Sequence, residues 1–197
     1  MKRILCLGDS NTWGYDPRSW FGSQYPAHVR WTGLLERAGW QVLNCGQNGL
    51  SIPGEVQISA FENLIRSRLP ADVITIMLGS NDILEGRTAE EAAARMVRFL
   101  DCVQRAAPGV PVLLIAPPVM KEGTWVQGES EIDESAELAG RYRALAEQKG
   151  IFFADAEEWG IEVLFDGVHF SPVGHRSFAN GLQKTLREIL RRNGETE

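Results

Sequence analysis

The chain has 197 residues, of which 44% are hydrophobic and 23% are charged, and its formal net charge is −6. This length is enough to bury the core of one domain and short for two, and the composition is ordinary for a globular protein. The negative charge argues against a nucleic-acid surface, and no apolar stretch approaches the roughly 20 residues that a membrane span requires.

Strand-like and helix-like segments alternate along the whole chain. In chain order, the patterns predict a strand at 2–7, a helix at 30–38, a strand at 41–45, a helix at 55–69, a strand at 72–78, a helix at 88–107, a strand at 110–116, a helix at 130–149, a strand at 151–154 and a last helix from 171 to 192. The helix ends carry matching signals. Thr88 and Glu91 are spaced as a capping box, Gly150 is a C-cap, and Pro172 stands at the favoured first helical position.

This alternation predicts the fold class. Continuous apolar strands separated by helices indicate a parallel sheet that is covered by helices on both faces. Right-handed crossovers then give a three-layer α/β/α sandwich, whose five-stranded parallel sheet has the flavodoxin-like order 2-1-3-4-5. We expect residues 1–192 to form a single domain and residues 193–197 to form a frayed C-terminal tail.

The N-terminus and the cysteines indicate the compartment. Asp9 interrupts the first apolar run before it reaches the ~7 residues of a signal-peptide core. Cys6, Cys45 and Cys102 are odd in number and lack metal or redox spacing, which is typical of buried thiols in a reducing compartment. We therefore expect a cytoplasmic protein. The three histidines show no paired spacing, so we expect neither a metal nor any other cofactor.

Polar loops that contain glycine are expected to meet at one edge of the sheet. Doubly wound sheets bind ligands beyond the carboxyl ends of their strands. That edge would receive residues 8–10, 46–51, 79–82 and 166–169. Within these loops, Ser10, Asp166 and His169 are the material for a Ser-His-Asp acyl-transfer site. Such a site needs a hydroxyl nucleophile, an imidazole to take its proton and a carboxylate to orient the imidazole.

Taken one at a time, these residues allow simpler interpretations. Ser10 can turn the chain or cap a helix, and Asp9 can hold that turn through hydrogen bonds to backbone amides. Asn81 and Asp82 can cap a following helix. His175 is interpreted as a packing or capping residue of the last helix rather than a second base. The convergence of four loops on one edge is what favours a catalytic site.

Together the loops resemble the SGNH hydrolases, also called the GDSL esterase and lipase family. The family's blocks are matched in order by Gly-Asp-Ser at 8–10, a glycine after the second strand, best matched to Gly49, Gly-Ser-Asn-Asp at 79–82 and Asp-Gly-Val-His at 166–169. Asn11 departs from the pattern, since leucine is commoner there. Residues 30–34 and 49–51 are similar to bacterial arylesterase and acyltransferase members.

The resemblance implies a function and a role for each residue. It implies a serine esterase that hydrolyses carboxylic esters through an acyl-enzyme on Ser10, with Asp166 and His169 completing the triad. The implied oxyanion hole consists of the backbone N–H groups of Ser10 and Gly49 and the side-chain amide of Asn81. Short-chain acyl or aryl esters are slightly favoured as substrates, while an acetylated sugar, a thioester and a lysophospholipid stay open as alternatives, because family members share one core and differ in their loops. A small-molecule ester is the expected partner.

A different class of function stays open at this point: a non-catalytic, doubly wound ligand-binding or signalling module. In a signalling module Asp9 would accept a phosphoryl group, which needs further acids nearby and a lysine after the fifth strand. Asp-Ala-Glu-Glu follows that strand instead, at 155–158. A flavin-binding module is also compatible with the fold, but it leaves Asp166 and His169 unexplained.

Two long loops are expected to determine specificity. The first follows Ser10 at 13–28 and carries the aromatic residues Trp13, Tyr15, Trp20, Phe21 and Tyr25. The second, at 117–129, carries Trp125. These loops predict either an apolar acyl or aryl pocket or the subunit interface of a homo-oligomer. In the pocket interpretation Trp13 is the wall nearest Ser10 and binds substrate.

Overall fold

A computed structural model describes residues 1–19 and 21–194 of the chain. Five strands form one sheet in the order β2-β1-β3-β4-β5, and every neighbouring pair is parallel. The strands are β1 (Arg3–Gly8), β2 (Gln41–Gly46), β3 (Val73–Met77), β4 (Val112–Ala116) and β5 (Phe152–Asp155). The predicted sheet and its strand order are therefore confirmed.

The helices alternate with these strands. They are α1 (Ser10–Trp13), α2 (Trp31–Arg37), α3 (Glu55–Arg68), α4 (Ser80–Leu84), α5 (Ala89–Ala106), α6 (Glu129–Lys149), a 3-10 turn (Ala156–Trp159) and α7 (Pro172–Gly194). The pattern did not predict α1, α4 or the 3-10 turn, because such short segments show no periodicity. Along the described part of the chain, no helix is both long and apolar enough to cross a membrane.

The C-terminal end differs slightly from the prediction. Helix α7 continues through Asn193 to Gly194, so the first two residues of the predicted frayed tail are helical. The rest of that tail, residues 195–197, lies outside the described residues, as does Trp20 of the aromatic loop.

Two apolar cores lie on opposite faces of the sheet, because alternate residues of a strand point to opposite sides. From β1, Leu5 and Leu7 pack into the core that is shared with α3, α5 and α6. Ile4 and Cys6 pack into the core that is shared with α2 and α7. This arrangement is the predicted three-layer sandwich.

The first three strands end level with one another at the carboxyl edge. Gly8 of β1 is in register with Gly46 of β2 and Met77 of β3. A Cβ on Gly8 would lie 2.1 Å from the hydroxyl oxygen of Thr12, and a Cβ on Gly46 would lie 2.3 Å from the backbone nitrogen of Trp13. Glycine at these two ends therefore lets α1 rest directly on the edge of the sheet.

His175 lies in the first turn of α7 and is buried against α2 and the loop that precedes α2. Its Nδ1 accepts a hydrogen bond from the backbone N–H of Trp31 at 3.4 Å, and its ring lies edge-on to Tyr25 at 5.0 Å and to Phe170 at 5.5 Å between centroids. Burial lowers the pKa of His175 to about 3. The side chain is a neutral packing residue, as its sequence interpretation stated.

Acid should destabilise this fold partly through His175. In the unfolded chain a histidine has a pKa of about 6.5. The unfolded chain therefore binds an extra proton between that value and the folded pKa, and stability falls as the pH decreases through this window. His175→Gln keeps an acceptor for the Trp31 N–H. Its free energy of unfolding, measured in urea, should fall less steeply with decreasing pH than that of wild type, and the two slopes should differ by up to about 1.4 kcal/mol per pH unit.

His28→Gln is the matched control, because His28 is exposed. An acid dependence that is the same in wild type and His175→Gln would contradict the burial of a neutral imidazole at this position.

Candidate active site

Ser10 is the first residue of α1, directly after the end of β1. Asp9 caps this helix: its Oδ1 accepts a hydrogen bond from the backbone N–H of Asn11 at 2.9 Å. Burial raises the pKa of Asp9 to about 6, against the lowering effects of this hydrogen bond and of the nearby His169. Asp9 therefore holds the turn, and Ser10 itself is not the helix cap.

A chain of hydrogen bonds joins Ser10, His169 and Asp166. The Oγ of Ser10 lies 2.9 Å from Nε2 of His169, and Nδ1 of His169 lies 2.8 Å from Oδ2 of Asp166. An ionised carboxylate can only accept, so Nδ1 carries the proton and Nε2 accepts from the serine hydroxyl. The side chains are almost entirely shielded, with Ser10 7% exposed and His169 1% exposed.

The turn that carries Asp166 fixes its carboxylate. Oδ1 of Asp166 accepts from the backbone N–H groups of Val168 and His169, both at 2.9 Å. Burial pushes the pKa of Asp166 upward, but these two bonds and the one from the imidazole outweigh it and hold the pKa below its usual value. Gly167 has φ +83°, and a Cβ on it would lie 2.0 Å from the carbonyl oxygen of Lys121. This turn explains how a carboxylate three residues before the histidine reaches its ring.

The structure also brings Asn81 next to the loop that holds Gly49. Nδ2 of Asn81, in α4, donates to the carbonyl oxygen of Leu50 at 3.1 Å. Gly49 is exposed and has φ +71°, and a Cβ on it would contact nothing within 4 Å. Its backbone conformation, rather than close packing, is what favours glycine there. Both residues lie at the edge of the sheet where α1 begins.

Asp82, the neighbour of Asn81, ties the same loop from a second point. Its Oδ2 accepts from the backbone N–H of Ile52 at 2.8 Å, and its Oδ1 pairs with Nε of Arg95 at 3.1 Å. Burial raises the pKa of Asp82, although the Ile52 bond and the cations Arg95 and Arg87 oppose the shift. Asp82 thus holds the loop rather than serving only as a helix cap.

Two aromatic rings contact the imidazole of His169. Tyr15 lies 4.7 Å from it between centroids, and Trp125 lies 4.8 Å from it with the planes at 83°. Trp125 is 50% exposed, and its backbone N–H donates to the carbonyl oxygen of Asp166 at 3.2 Å. Trp13, which the sequence favoured as the pocket wall nearest Ser10, is half-buried at the end of α1. The sequence pointed to both aromatic loops but not to which of their rings reach the imidazole.

Asn11 is a further residue of the site whose contacts the sequence did not predict. Its side-chain amide bonds to the backbone on both sides of His169, at Val168 and Phe170. Among residues 1–19 and 21–194, no group of three or more His, Cys, Asp or Glu side chains is placed to hold a metal ion.

Comparison with known proteins identifies related chains. The model of the GDSL-like Lipase/Acylhydrolase family matches residues 6–177. A curated GDSL esterase/lipase from Arabidopsis thaliana is 27% identical over 150 residues, which cover 62% of this chain and 62% of the relative. The chain thus spans less than two thirds of the length of that relative.

Solved structures match over nearly the whole chain. The aryl esterase of M. smegmatis is 29% identical with a TM-score of 0.81, covering 95% of this chain and 99% of that chain. Est24, a carbohydrate acetylesterase from Sinorhizobium meliloti, is 26% identical with a TM-score of 0.83, covering 96% of this chain and 100% of that chain.

The carboxylate of Asp166 should stabilise the fold in a pH-dependent way. Its folded pKa is lowered, whereas a free aspartate has a pKa of about 3.9. Its contribution is therefore present above that value and is lost as the pH falls through the folded pKa. Asp166→Asn should unfold at lower urea than wild type at pH 7, and the gap should narrow as the pH is lowered past 4.

Asp133→Asn, at an exposed position of α6, is the control for loss of one negative charge. If the difference in stability toward urea between wild type and Asp166→Asn stays constant from pH 7 to pH 3, the hydrogen bonds of the ionised Asp166 carboxylate do not stabilise the fold.

Proposed function

Since the chain belongs to the GDSL-like lipase/acylhydrolase family, we propose that it hydrolyses carboxylic esters through an acyl-enzyme intermediate on Ser10. The observation that carries this proposal is the hydrogen-bond chain from Ser10 Oγ through His169 to Asp166. A nucleophile, a base and an orienting carboxylate in that sequence are what acyl transfer requires.

In the first half-reaction Ser10 Oγ attacks the ester carbonyl carbon while Nε2 of His169 takes the hydroxyl proton. Asp166 stabilises the resulting imidazolium through Nδ1–H. The carbonyl oxygen becomes an oxyanion, which the backbone N–H groups of Ser10 and Gly49 and one amide proton of Asn81 would stabilise. The second proton of that amide is already bonded to Leu50, which fixes the orientation of the group.

The tetrahedral intermediate that this attack forms then collapses. The bond from the carbonyl carbon to the alcohol oxygen breaks, and Nε2 of His169 returns its proton to that oxygen. The alcohol leaves and the acyl group stays on Ser10. In the second half-reaction His169 takes a proton from water as the water oxygen attacks the acyl carbon. The bond from that carbon to Ser10 Oγ then breaks, Nε2 of His169 returns its proton to Oγ, and the carboxylic acid is released.

Short-chain acyl or aryl esters are the substrates that we favour. The rings of Tyr15 and Trp125 pack against the imidazole, so a substrate that reaches Ser10 meets an apolar, aromatic surface. Ser10 is itself only 7% exposed, which suits a small acyl group. The similar structures named as an aryl esterase and a carbohydrate acetylesterase support this choice.

A fluorophosphonate probe tests the mechanism directly. Wild type should be labelled at Ser10, and Ser10→Ala should lose both the label and kcat, the latter by roughly 10⁶-fold. Asn81→Ala should lose kcat by roughly 10²- to 10³-fold with little change in KM, because the amide acts mainly on charge that is present in the transition state.

Ser67→Ala, on the exposed side of α3, is the matched control for the serine substitution. Substantial turnover by folded Ser10→Ala would overturn the mechanism, whereas wild-type kcat in Asn81→Ala would overturn only the oxyanion role.

The aromatic loops should set acyl preference. Trp13→Ala and Trp125→Ala are each expected to change the ratio of kcat/KM for acetyl and hexanoyl esters by about 10-fold, since each methylene in an apolar pocket discriminates on that order. Initial rates on an ester series measure the ratio, and light scattering measures the oligomeric state. An unaltered ratio together with a loss of association would assign that tryptophan to a subunit interface.

A further inference from the structure

We propose that Asn11 is a positioning residue that holds His169 in register with Ser10. This inference rests on the proposed function, because it gives Asn11 a part in the reaction only if Ser10 and His169 carry it out. The observation behind it is that the Asn11 amide bonds to the backbone immediately before and immediately after the histidine.

The geometry resembles a strand pairing made by one side chain. Nδ2 of Asn11 donates to the carbonyl oxygen of Val168 at 3.1 Å, and its Oδ1 accepts from the backbone N–H of Phe170 at 2.9 Å. The side chain is 3% exposed, so water competes little for these groups. Because the donor and the acceptor of the amide are both used, its orientation is fixed.

Asn11 is itself anchored at two points. Its backbone N–H donates to Oδ1 of Asp9 at 2.9 Å, and its carbonyl oxygen accepts from the indole N–H of Trp31 at 2.8 Å. The amide therefore extends from a fixed point on α1, one residue after the nucleophile.

The hydrogen bonds of the Asp166 carboxylate do not fix the position of His169 relative to α1. They run to Val168 and His169 within one turn, and so they fix the imidazole relative to its own loop. Reaction also requires a fixed distance from that loop to α1. Asn11 supplies two buried hydrogen bonds across this junction, one residue from Ser10 and on both sides of His169. They add to the Tyr25 hydroxyl, which donates to the Phe170 carbonyl oxygen at 3.4 Å, and to the ring of Tyr15, which contacts the imidazole. A misplacement of about 1 Å between reacting groups can cost about 100-fold in rate.

The test compares Asn11→Leu in two backgrounds. Leucine is similar in size and makes neither hydrogen bond. In the wild-type background we expect kcat and the rate of fluorophosphonate labelling to fall by about 10- to 100-fold, with KM within about twofold. In the His169→Ala background the same substitution should change the slow residual labelling rate by less than about threefold, because no imidazole remains to be positioned.

Two further variants keep the test decisive. Asn11→Asp has the same shape and keeps an acceptor for the Phe170 N–H but loses the donor to Val168. It takes the place of Asn11→Leu if the latter does not fold, with the same expectation in both backgrounds. Asp72→Ala removes a 2.7 Å side-chain bond to the Arg3 N–H at the opposite edge of the sheet, and it should lower stability while leaving the labelling rate unchanged.

Equal losses in the two backgrounds would overturn the inference and leave Asn11 a purely structural residue, as would an undiminished kcat in the folded Asn11 variants. Either result, obtained with inactive Ser10→Ala, would leave the proposed function intact. Activity in Ser10→Ala would instead show that the proposed function had failed.

Discussion

The site depends on the close approach between the backbone of α1 and the carboxyl ends of β1 and β2. A side chain at Gly8 or Gly46 would meet α1 at little more than 2 Å, so any residue larger than glycine would lift the helix from the sheet. Asn44 strengthens the contact, since its Oδ1 accepts from the Gly46 N–H at 2.9 Å and its Nδ2 lies 3.4 Å from the carbonyl oxygen of Trp13. Ser10 owes its position to this packing rather than to the turn alone.

His169 reaches the same point from the loop between the 3-10 turn and α7, near the other end of the chain. Its turn is held by the Asp166 carboxylate and by backbone bonds to the loop before α6, including Lys121 N–H to the Gly167 carbonyl oxygen at 3.0 Å. Trp125 belongs to that loop, so one set of contacts places both His169 and the aromatic ring that packs against it. The two segments meet where Ser10 Oγ bonds to His169 and where the Asn11 amide bonds to Val168 and Phe170.

The fold could be predicted because continuous apolar strands and long amphipathic helices show periodic patterns in the sequence, and the loops of the site could be predicted because parallel strands end at one edge of the sheet. The sequence did not indicate α1 or α4, which are too short to show a period. Nor could it predict the contacts of Asn11, whose partners are 157 and 159 residues further along the chain. Aromatic content and length likewise pointed to both loops, but closeness in the chain to Ser10 favoured Trp13 rather than Tyr15 and Trp125, whose rings contact the imidazole. Such contacts depend on how two loops meet, which no local pattern records.

Two buried carboxylates, Asp9 and Asp166, lie beside Ser10 and His169, and burial, together with the hydrogen bonds that each accepts, gives them different pKa values. Burial alone raises the pKa of both, yet the pKa of Asp9 is about 6 whereas that of Asp166 is below its usual value. Burial acts more strongly on Asp9, and Asp166 in addition accepts the imidazole N–H as well as two backbone N–H groups. Asp166 is therefore ionised at neutral pH and keeps the histidine in one tautomer. Asp9 loses its proton at a cost to folding stability as the pH rises through about 6. That cost is tolerated because its carboxylate holds the turn in which Ser10 lies.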